Sequence, residues 1–266
     1  MNIVKIYGGL GNQLFQYAFG HTLEHHGHIV RYDLSWFNGY RDETRPYRLN
    51  KFYTIVHPLP RMKGTIINEV KTGYVKNMNY LTMDNCYFYG YWQHPGYFQE
   101  ILPKLYNIFK VTIGWYTEEY MELREKIILN QSTSIHVRRG DYLQANGHYL
   151  LGLDYYRNAL DSIKDKGDIY VFSDDLPWCG DKFENATLVH LPDYLSFDLM
   201  RLCNNNIIAN STFSWWAAYL NQNIDKQVIT PIQWRKDIND PAMTDMDFMC
   251  PAGWTRLESP GRIVCL

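Results

Sequence analysis

The run Ile135-His136-Val137-Arg138-Arg139-Gly140-Asp141-Tyr142 concentrates the residue types best suited to chemistry in this chain of 266 residues. Two adjacent guanidinium groups can grip phosphate or carboxylate oxygens through paired N–H donors. Alternation places Ile135 and Val137 on one strand face, and His136 and Arg138 on the other. The run therefore reads as a buried strand that spills two arginines, a glycine and an acid into a loop. In an open α/β sheet such a loop lies where ligands bind. A structural ion pair between an arginine and Asp141 is the competing reading, and these residues alone leave both open.

Two other runs carry compatible chemistry. Phe172-Ser173-Asp174-Asp175 ends an apolar stretch in two acids, and a carboxylate can accept hydrogen bonds from a guanine N1–H and N2–H₂. Asn210-Ser211-Thr212-Phe213-Ser214 opens a helix containing Trp215 and Trp216. A helix start offers free N–H groups to an anion, although Ser/Thr there also serves as an ordinary N-cap. Arginines, acids and a helix N-terminus on one sheet edge suit a nucleoside diphosphate.

Near the N-terminus, Gly8-Gly9-Leu10-Gly11-Asn12-Gln13 forms a glycine-rich turn between a strand and a helix. Gly9 and Gly11 begin a dinucleotide fingerprint, and Asp33 stands where a ribose-binding acid would lie. Leu14 occupies the third glycine position, so the fingerprint is incomplete and an NAD-dependent oxidoreductase is a secondary reading. Metal is a second way to neutralise a diphosphate, but the Asp-x-Asp at Asp245-Met246-Asp247 sits in an irregular tail. Two arginines can stabilise a leaving diphosphate without a metal, so no metal or other cofactor is expected.

Periodicity gives the elements that must position these runs. Residues 3–7 read as a strand, 13–26 as a helix with apolar i, i+4 repeats closed by Gly27, and 28–32 as a second strand. Proline and tyrosine blur residues 35–83 into loops and short helices. Residues 86–93 resemble a strand, and 100–109 and 117–128 helices. From residue 130 strands and helices alternate: strands at 134–137, 169–173, 187–191, 207–209 and 228–230, helices at 154–166, 196–203 and 213–220. That alternation predicts α/β architecture with parallel sheets, as two domains facing across a cleft. The boundaries are 1–130, 131–233 and a tail, 234–266, that packs back across them.

Composition bounds the function. A hydrophobic fraction of 46% with 20% charged residues describes a folded globular chain, and the net charge of −2 gives no basic surplus for nucleic acid. The 22 tyrosines and 8 tryptophans suit a carbohydrate ligand as well as an aromatic core, which keeps a non-catalytic glycan-binding protein in view. Five cysteines with no C-x-x-C pair argue against a disulfide framework or zinc site. With no signal-type or membrane-spanning apolar run, a cytoplasmic location is expected.

In order along the chain, Gly8-Gly9-Leu10-Gly11-Asn12-Gln13-Leu14-Phe15-Gln16-Tyr17-Ala18, His136-Val137-Arg138-Arg139-Gly140-Asp141-Tyr142, Phe172-Ser173-Asp174-Asp175 and Asn210-Ser211-Thr212-Phe213-Ser214-Trp215-Trp216 resemble the α-1,2-fucosyltransferases of glycosyltransferase family 11. The resemblance implies a GT-B-like fold with two Rossmann-type domains, the first serving the acceptor and the second the donor. It implies GDP-β-L-fucose as donor, a galactose-terminated oligosaccharide as acceptor, transfer with inversion to the galactose 2-hydroxyl and no metal. It also leaves room for peripheral membrane contact through a lipid-linked acceptor.

By the same resemblance, an arginine of Arg138-Arg139 grips the β-phosphate, and His136 and an acid of Asp174-Asp175 contact guanine. Thr212, Phe213 and Ser214 hold the diphosphate, while Gly11 and Asn12 face the fucose and the acceptor. Asp141 is either the base for the acceptor hydroxyl or a brace for the arginines. His148 and Asp33 are lesser candidates, and a leaving phosphate that takes the proton would need no protein base.

Overall fold

Apolar stretches such as those around Val4 and Ile135 need cover on both faces of a sheet, which parallel α/β layering supplies. The computed structural model describes residues 1–39, 45–59, 64–69, 79–144, 147–234 and 249–258. The chain divides into two units, Met1–Trp115 and Tyr116–Leu266.

The first unit runs β1 (Asn2–Lys5), α1 (Leu10–His25), β2 (Val30–Asp33), α2 (Ser35–Gly39), β3 (Thr65–Asn68), β4 (Cys86–Tyr89) and α3 (Leu102–Ile108). Its strands pair in the order β2-β1-β4-β3, and every pairing is parallel. Leu14, Phe15, Ala18, Phe19 and Leu23 form the buried stripe of α1. At Gly20 the helix lies so close to β2 that a β-carbon would sit 2.7 Å from the Tyr32 ring. Gly27, at φ +86°, turns the chain out of α1 as expected.

The helix starts three residues earlier than its apolar period suggests. Gly9 is the N-cap, and its carbonyl accepts from Asn12 N at 3.0 Å and Gln13 N at 3.1 Å. Gly11 and Asn12 thus belong to the first helical turn. In the blurred 35–83 region, the structure adds the short strand β3.

The second unit runs α4 (Glu118–Leu129), β5 (Ser132–Val137), α5 (Leu153–Ser162), β6 (Asp168–Ser173), α6 (Leu176–Gly180), β7 (Thr187–Leu188), α7 (Asp193–Met200), β8 (Asn205–Ile207), α8 (Thr212–Tyr219), β9 (Val228–Pro231) and β10 (Thr255–Leu257). Its all-parallel order is β10-β9-β8-β5-β6-β7. β5 is buried along its whole length. Ile135 and Val137 pack with Tyr155, Tyr156 and Ala159 of α5, whereas the His136 ring meets Phe213 of α8 at 5.2 Å.

The division falls ahead of residue 130 because α4 packs against the second unit: the Tyr120 hydroxyl donates to Asp198 of α7 at 2.5 Å. The described part of the tail extends the second unit's own sheet, with β10 pairing on β9, and the Trp215 indole N–H donates to the Met249 carbonyl at 3.1 Å.

In each sheet the first strand of the unit is central. From β5 the chain goes to β6 and β7 on one side, then to β8, β9 and β10 on the other; β1 likewise lies between β2 and β4. The second sheet therefore has a topological switch point at the carboxyl ends of β5 and β8, the position where open α/β sheets bind ligands, and in the first sheet β1 and β4 lie side by side with their carboxyl ends on one edge.

Candidate functional site

Beyond β5 the chain enters an ion-paired cluster. Arg138 reaches Asp141 at 2.5 Å and Asp174 at 2.9 Å. Arg139 is held differently: its backbone N–H donates to Asp174 at 2.8 Å, its Nε to Asp175 at 3.0 Å, and its guanidinium lies 4.1 Å from the Trp178 ring centre. With 15% of its side chain exposed against 29% for Arg138, Arg139 is clamped in place and Arg138 is the more open cation.

Gly140 permits the cluster. A β-carbon there would lie 2.5 Å from a carboxylate oxygen of Asp174, the same oxygen that Arg138 holds. Asp175 also caps α6, accepting from Trp178 N at 3.3 Å.

The loop after β8 closes the other side of the switch point. Ser211 caps α8 by accepting from Phe213 N, and Thr212 and Phe213 are half-buried in the first helical turn. The buried Ser214 turns its hydroxyl back to the Ser211 carbonyl at 3.4 Å. Tyr142 ties the two loops together, since its hydroxyl donates to the Asn210 carbonyl at 3.0 Å and its ring stacks on His148 at 4.2 Å. His136 lies beneath this crevice, 5% exposed, its Nδ1 buried without a hydrogen-bond partner among the described residues. Burial, followed by the neighbouring Arg138 charge, lowers its pKa to about 3, so the imidazole is neutral near pH 7.

The edge of the first sheet is built from amides and aromatic rings. Gly8, at φ +80°, turns the chain from β1 toward α1. Two buried glutamines fasten that turn. Gln13 donates to the carbonyls of Gly8 and Pro46, both at 2.9 Å, and Gln16 accepts from Tyr7 N at 2.9 Å. Asn12 accepts from the Gln93 side chain at 2.8 Å. Tyr7 stacks on Tyr89 at 5.3 Å and tilts against Tyr91 at 4.8 Å. Gln93 is a candidate that sequence reasoning did not single out, brought beside Asn12 by its place at the end of the aromatic run, one step before the His94-Pro95-Gly96 turn.

Asp33 is committed elsewhere. It accepts from Lys5 at 3.1 Å, the Tyr87 hydroxyl at 2.6 Å and Ser35 N at 2.8 Å. Burial alone would raise its pKa, but the Tyr87, Ser35 and Lys5 hydrogen bonds outweigh it and the net shift is downward. Its oxygens serve the sheet, which removes the ribose-binding role considered for it. Asp33 belongs to the first unit, and His148 stacks on the same Tyr142 ring that the Arg138 guanidinium faces at 5.3 Å. Among the described residues no group of three His, Cys, Asp or Glu is arranged to hold a metal, and Asp245-Met246-Asp247 lies outside the described residues. No helix among the described residues is long and apolar enough to cross a membrane.

Solved structures of similar architecture include the fucosyltransferase NodZ. NodZ α-1,6-fucosyltransferase co-crystallised with GDP superposes with a TM-score of 0.52 at 14% identity, covering 82% of this chain and 91% of that one. NodZ from Bradyrhizobium gives a TM-score of 0.54 at 13% identity, covering 82% and 92%. At these identities the likeness establishes the fold, GT-B-like with two Rossmann-type units, in agreement with the sequence expectation.

Glycosyl transferase family 11 matches residues 62–255, and the chain belongs to that family, the one its motifs resemble. It is a glycosyltransferase, which sets aside the oxidoreductase and glycan-binding alternatives. An Escherichia coli O-antigen biosynthesis glycosyltransferase, WbnK, is 32% identical over 89% of this chain and 96% of its own length. An Escherichia coli α-1,2-colitosyltransferase is 30% identical over 96% of this chain and 98% of its own. The galactoside α-(1,2)-fucosyltransferase 1 of Ateles belzebuth is 33% identical over 32% of this chain and 28% of its own.

Proposed function

We propose that the chain transfers L-fucose from GDP-β-L-fucose to the 2-hydroxyl of a terminal galactose, with inversion and without a metal, in the cytoplasmic synthesis of O-antigen or a related surface oligosaccharide. The observation that carries this reading is the more open Arg138 guanidinium at the β5–β8 switch point, beside the first turn of α8. As the fucose C1–O bond breaks, its electron pair passes to the β-phosphate oxygen. Arg138 stabilises that growing charge, and the backbone N–H groups opening α8, with the Thr212 hydroxyl, bind the other phosphate oxygens. Ser214 supports that turn from below. The neutral His136 offers guanine a hydrogen bond without competing for the phosphate, and Asp174 or Asp175 accepts from the base.

The contact between Asp141 and Arg138 favours Asp141 as the brace that aims the guanidinium. The acceptor's hydroxyl proton then leaves with the departing phosphate. The acceptor belongs to the first unit, where Gly11 and Asn12 face it from the start of α1.

The test is release of GDP from GDP-fucose with a panel of β-galactosides, with and without EDTA, and then NMR of the product linkage. An α-1,2 linkage formed equally well in EDTA is the expected result. No release with any galactoside, or a different linkage, overturns the reading. A second donor has its own support: the colitosyltransferase relative aligns over nearly the whole chain, the fucosyltransferase relative over a third. Colitose is fucose without its 3-hydroxyl, so offering both GDP-sugars decides between them by kcat/KM.

A further inference from the structure

Just past β4 the backbone is strained. Trp92 has a φ of 56°, a region that a bulky L-residue adopts only where its surroundings impose it. Its ring is fully buried, stacked on Phe19 at 4.3 Å and edge-on to Tyr80, Phe88 and Tyr97. Swinging the indole outward cannot relieve the turn, because that would empty the middle of an aromatic cluster.

A second restraint comes from Glu69, the residue after β3. Its Oε2 accepts from Tyr91 N at 2.6 Å and Trp92 N at 2.9 Å. Gly90 makes room for this cap, since a β-carbon there would lie 2.4 Å from the Glu69 Cβ. Among the described residues Oε1 is buried without a hydrogen-bond partner, a cost that an acid incurs only where its other oxygen is needed. The next side chain after the capped turn is Gln93, which donates to Asn12, and within the turn Tyr91 lies against Tyr7.

We infer that Glu69 is a positioning residue for sugar transfer: by holding the N–H groups of Tyr91 and Trp92 it fixes the turn that presents Gln93 and Tyr91 beside Asn12, where the acceptor sugar is received. The inference rests on the reading that this edge takes the acceptor. Glu69 acts through the turn and does not touch the reacting atoms. An amide in its place keeps a carbonyl oxygen that can accept both N–H groups, loses the charge and puts an NH₂ group where Oε1 lies.

The experiment compares wild type with Glu69→Ala, Glu69→Gln, Gln93→Ala and the Glu69→Ala/Gln93→Ala pair. Glu69→Ala and Gln93→Ala should each raise the acceptor KM by about tenfold, and Glu69→Gln should recover to within about threefold of wild type. The pair should be no worse than either single variant, because both changes remove one placement. Affinity for GDP, read by calorimetry, should not move. Glu69→Gln as impaired as Glu69→Ala would mean that the carboxylate charge itself acts, and it overturns the inference; so does an additive loss in the pair or weakened GDP binding.

Where Glu69→Ala does not fold, Glu69→Asp, too short to reach both N–H groups, takes its place with the same expectation. Amide hydrogen exchange at residues 91–93 reads the turn whichever sugar is transferred. It should quicken in Glu69→Ala and not in Glu69→Gln, and unchanged exchange in Glu69→Ala also overturns the inference. A wild-type enzyme inactive with every galactoside would instead defeat the acceptor assignment, leaving the exchange result to judge Glu69.

Discussion

At the carboxyl end of β5, Arg138 and Arg139 meet Asp141, Asp174 and Asp175, whereas Asn12, Gln93 and three tyrosines come together at the carboxyl ends of β1 and β4. Both sheets are parallel, and in each the unit's first strand lies between two others. Near the first edge, the half-buried Lys5 and the buried Asp33 neutralise each other. On the proposed reading one edge takes the charged diphosphate and the other an uncharged polyol, and the difference lies in a few loop residues at the ends of parallel strands.

That contrast can be broken most decisively at Arg138. Arg138→Ala should lower kcat/KM by about a thousandfold, and Arg138→Lys, which keeps the charge but not the planar fork, should recover little of it. Circular dichroism and melting should show the fold intact, and near-normal turnover would dissolve the distinction between the two edges. A smaller change is expected at Asp141. Asp141→Asn should cost about tenfold, with the donor KM rising as the aim of Arg138 loosens; a loss of about a thousandfold in kcat at constant donor KM would make Asp141 the base.

At the other edge, Asn12→Ala should raise the acceptor KM by about fivefold and leave GDP binding untouched, because no phosphate contact is involved. Comparable losses of GDP affinity from Asn12 and Arg138 variants would erase the division of labour. The gentlest test uses pH. The folded His136 pKa of about 3 lies below its ordinary 6.5, so between those values the unfolded chain binds a proton that the folded chain refuses. The neutral histidine's contribution is complete above about pH 6.5 and declines toward about pH 3, by at most roughly 1.4 kcal/mol per pH unit. His136→Gln should flatten that part of a stability–pH curve measured by urea unfolding.

Much of this was readable in the sequence where local pattern and tertiary demand agreed. The i, i+4 stripe gave α1, alternation separated Ile135 and Val137 from His136, and the three loops of the second unit come after strands as expected. Other features were hidden for identifiable reasons. β8 begins at Asn205 and Asn206, polar residues that look like loop until the structure gives their side chains partners: Asn205 donates to the Asp165 carbonyl and Asn206 to the Met200 carbonyl. β3 is a largely exposed edge strand without a usable alternation. α5 stops at Ser162 because Ile163 turns extended and Lys164 N donates to Gln227, a partner 63 residues away. The importance of Glu69 depends on where β3 pairs with β4, which no short window of sequence specifies.

The central place of β5 also has a consequence for how the chain acquires its structure. One flank of β5 is covered as soon as β6 is made, after a single helix. The other waits for β8, whose first residue lies 72 positions beyond the strand partner it pairs with, Thr133. During synthesis, a strand destined for full burial therefore stands with an open edge while roughly seventy residues are added, and loop closure over that distance is slow relative to local helix formation. Folding of the second unit should be gated by the arrival of β8, and this interval is where the growing chain is most exposed to pairing with a neighbour instead of with itself.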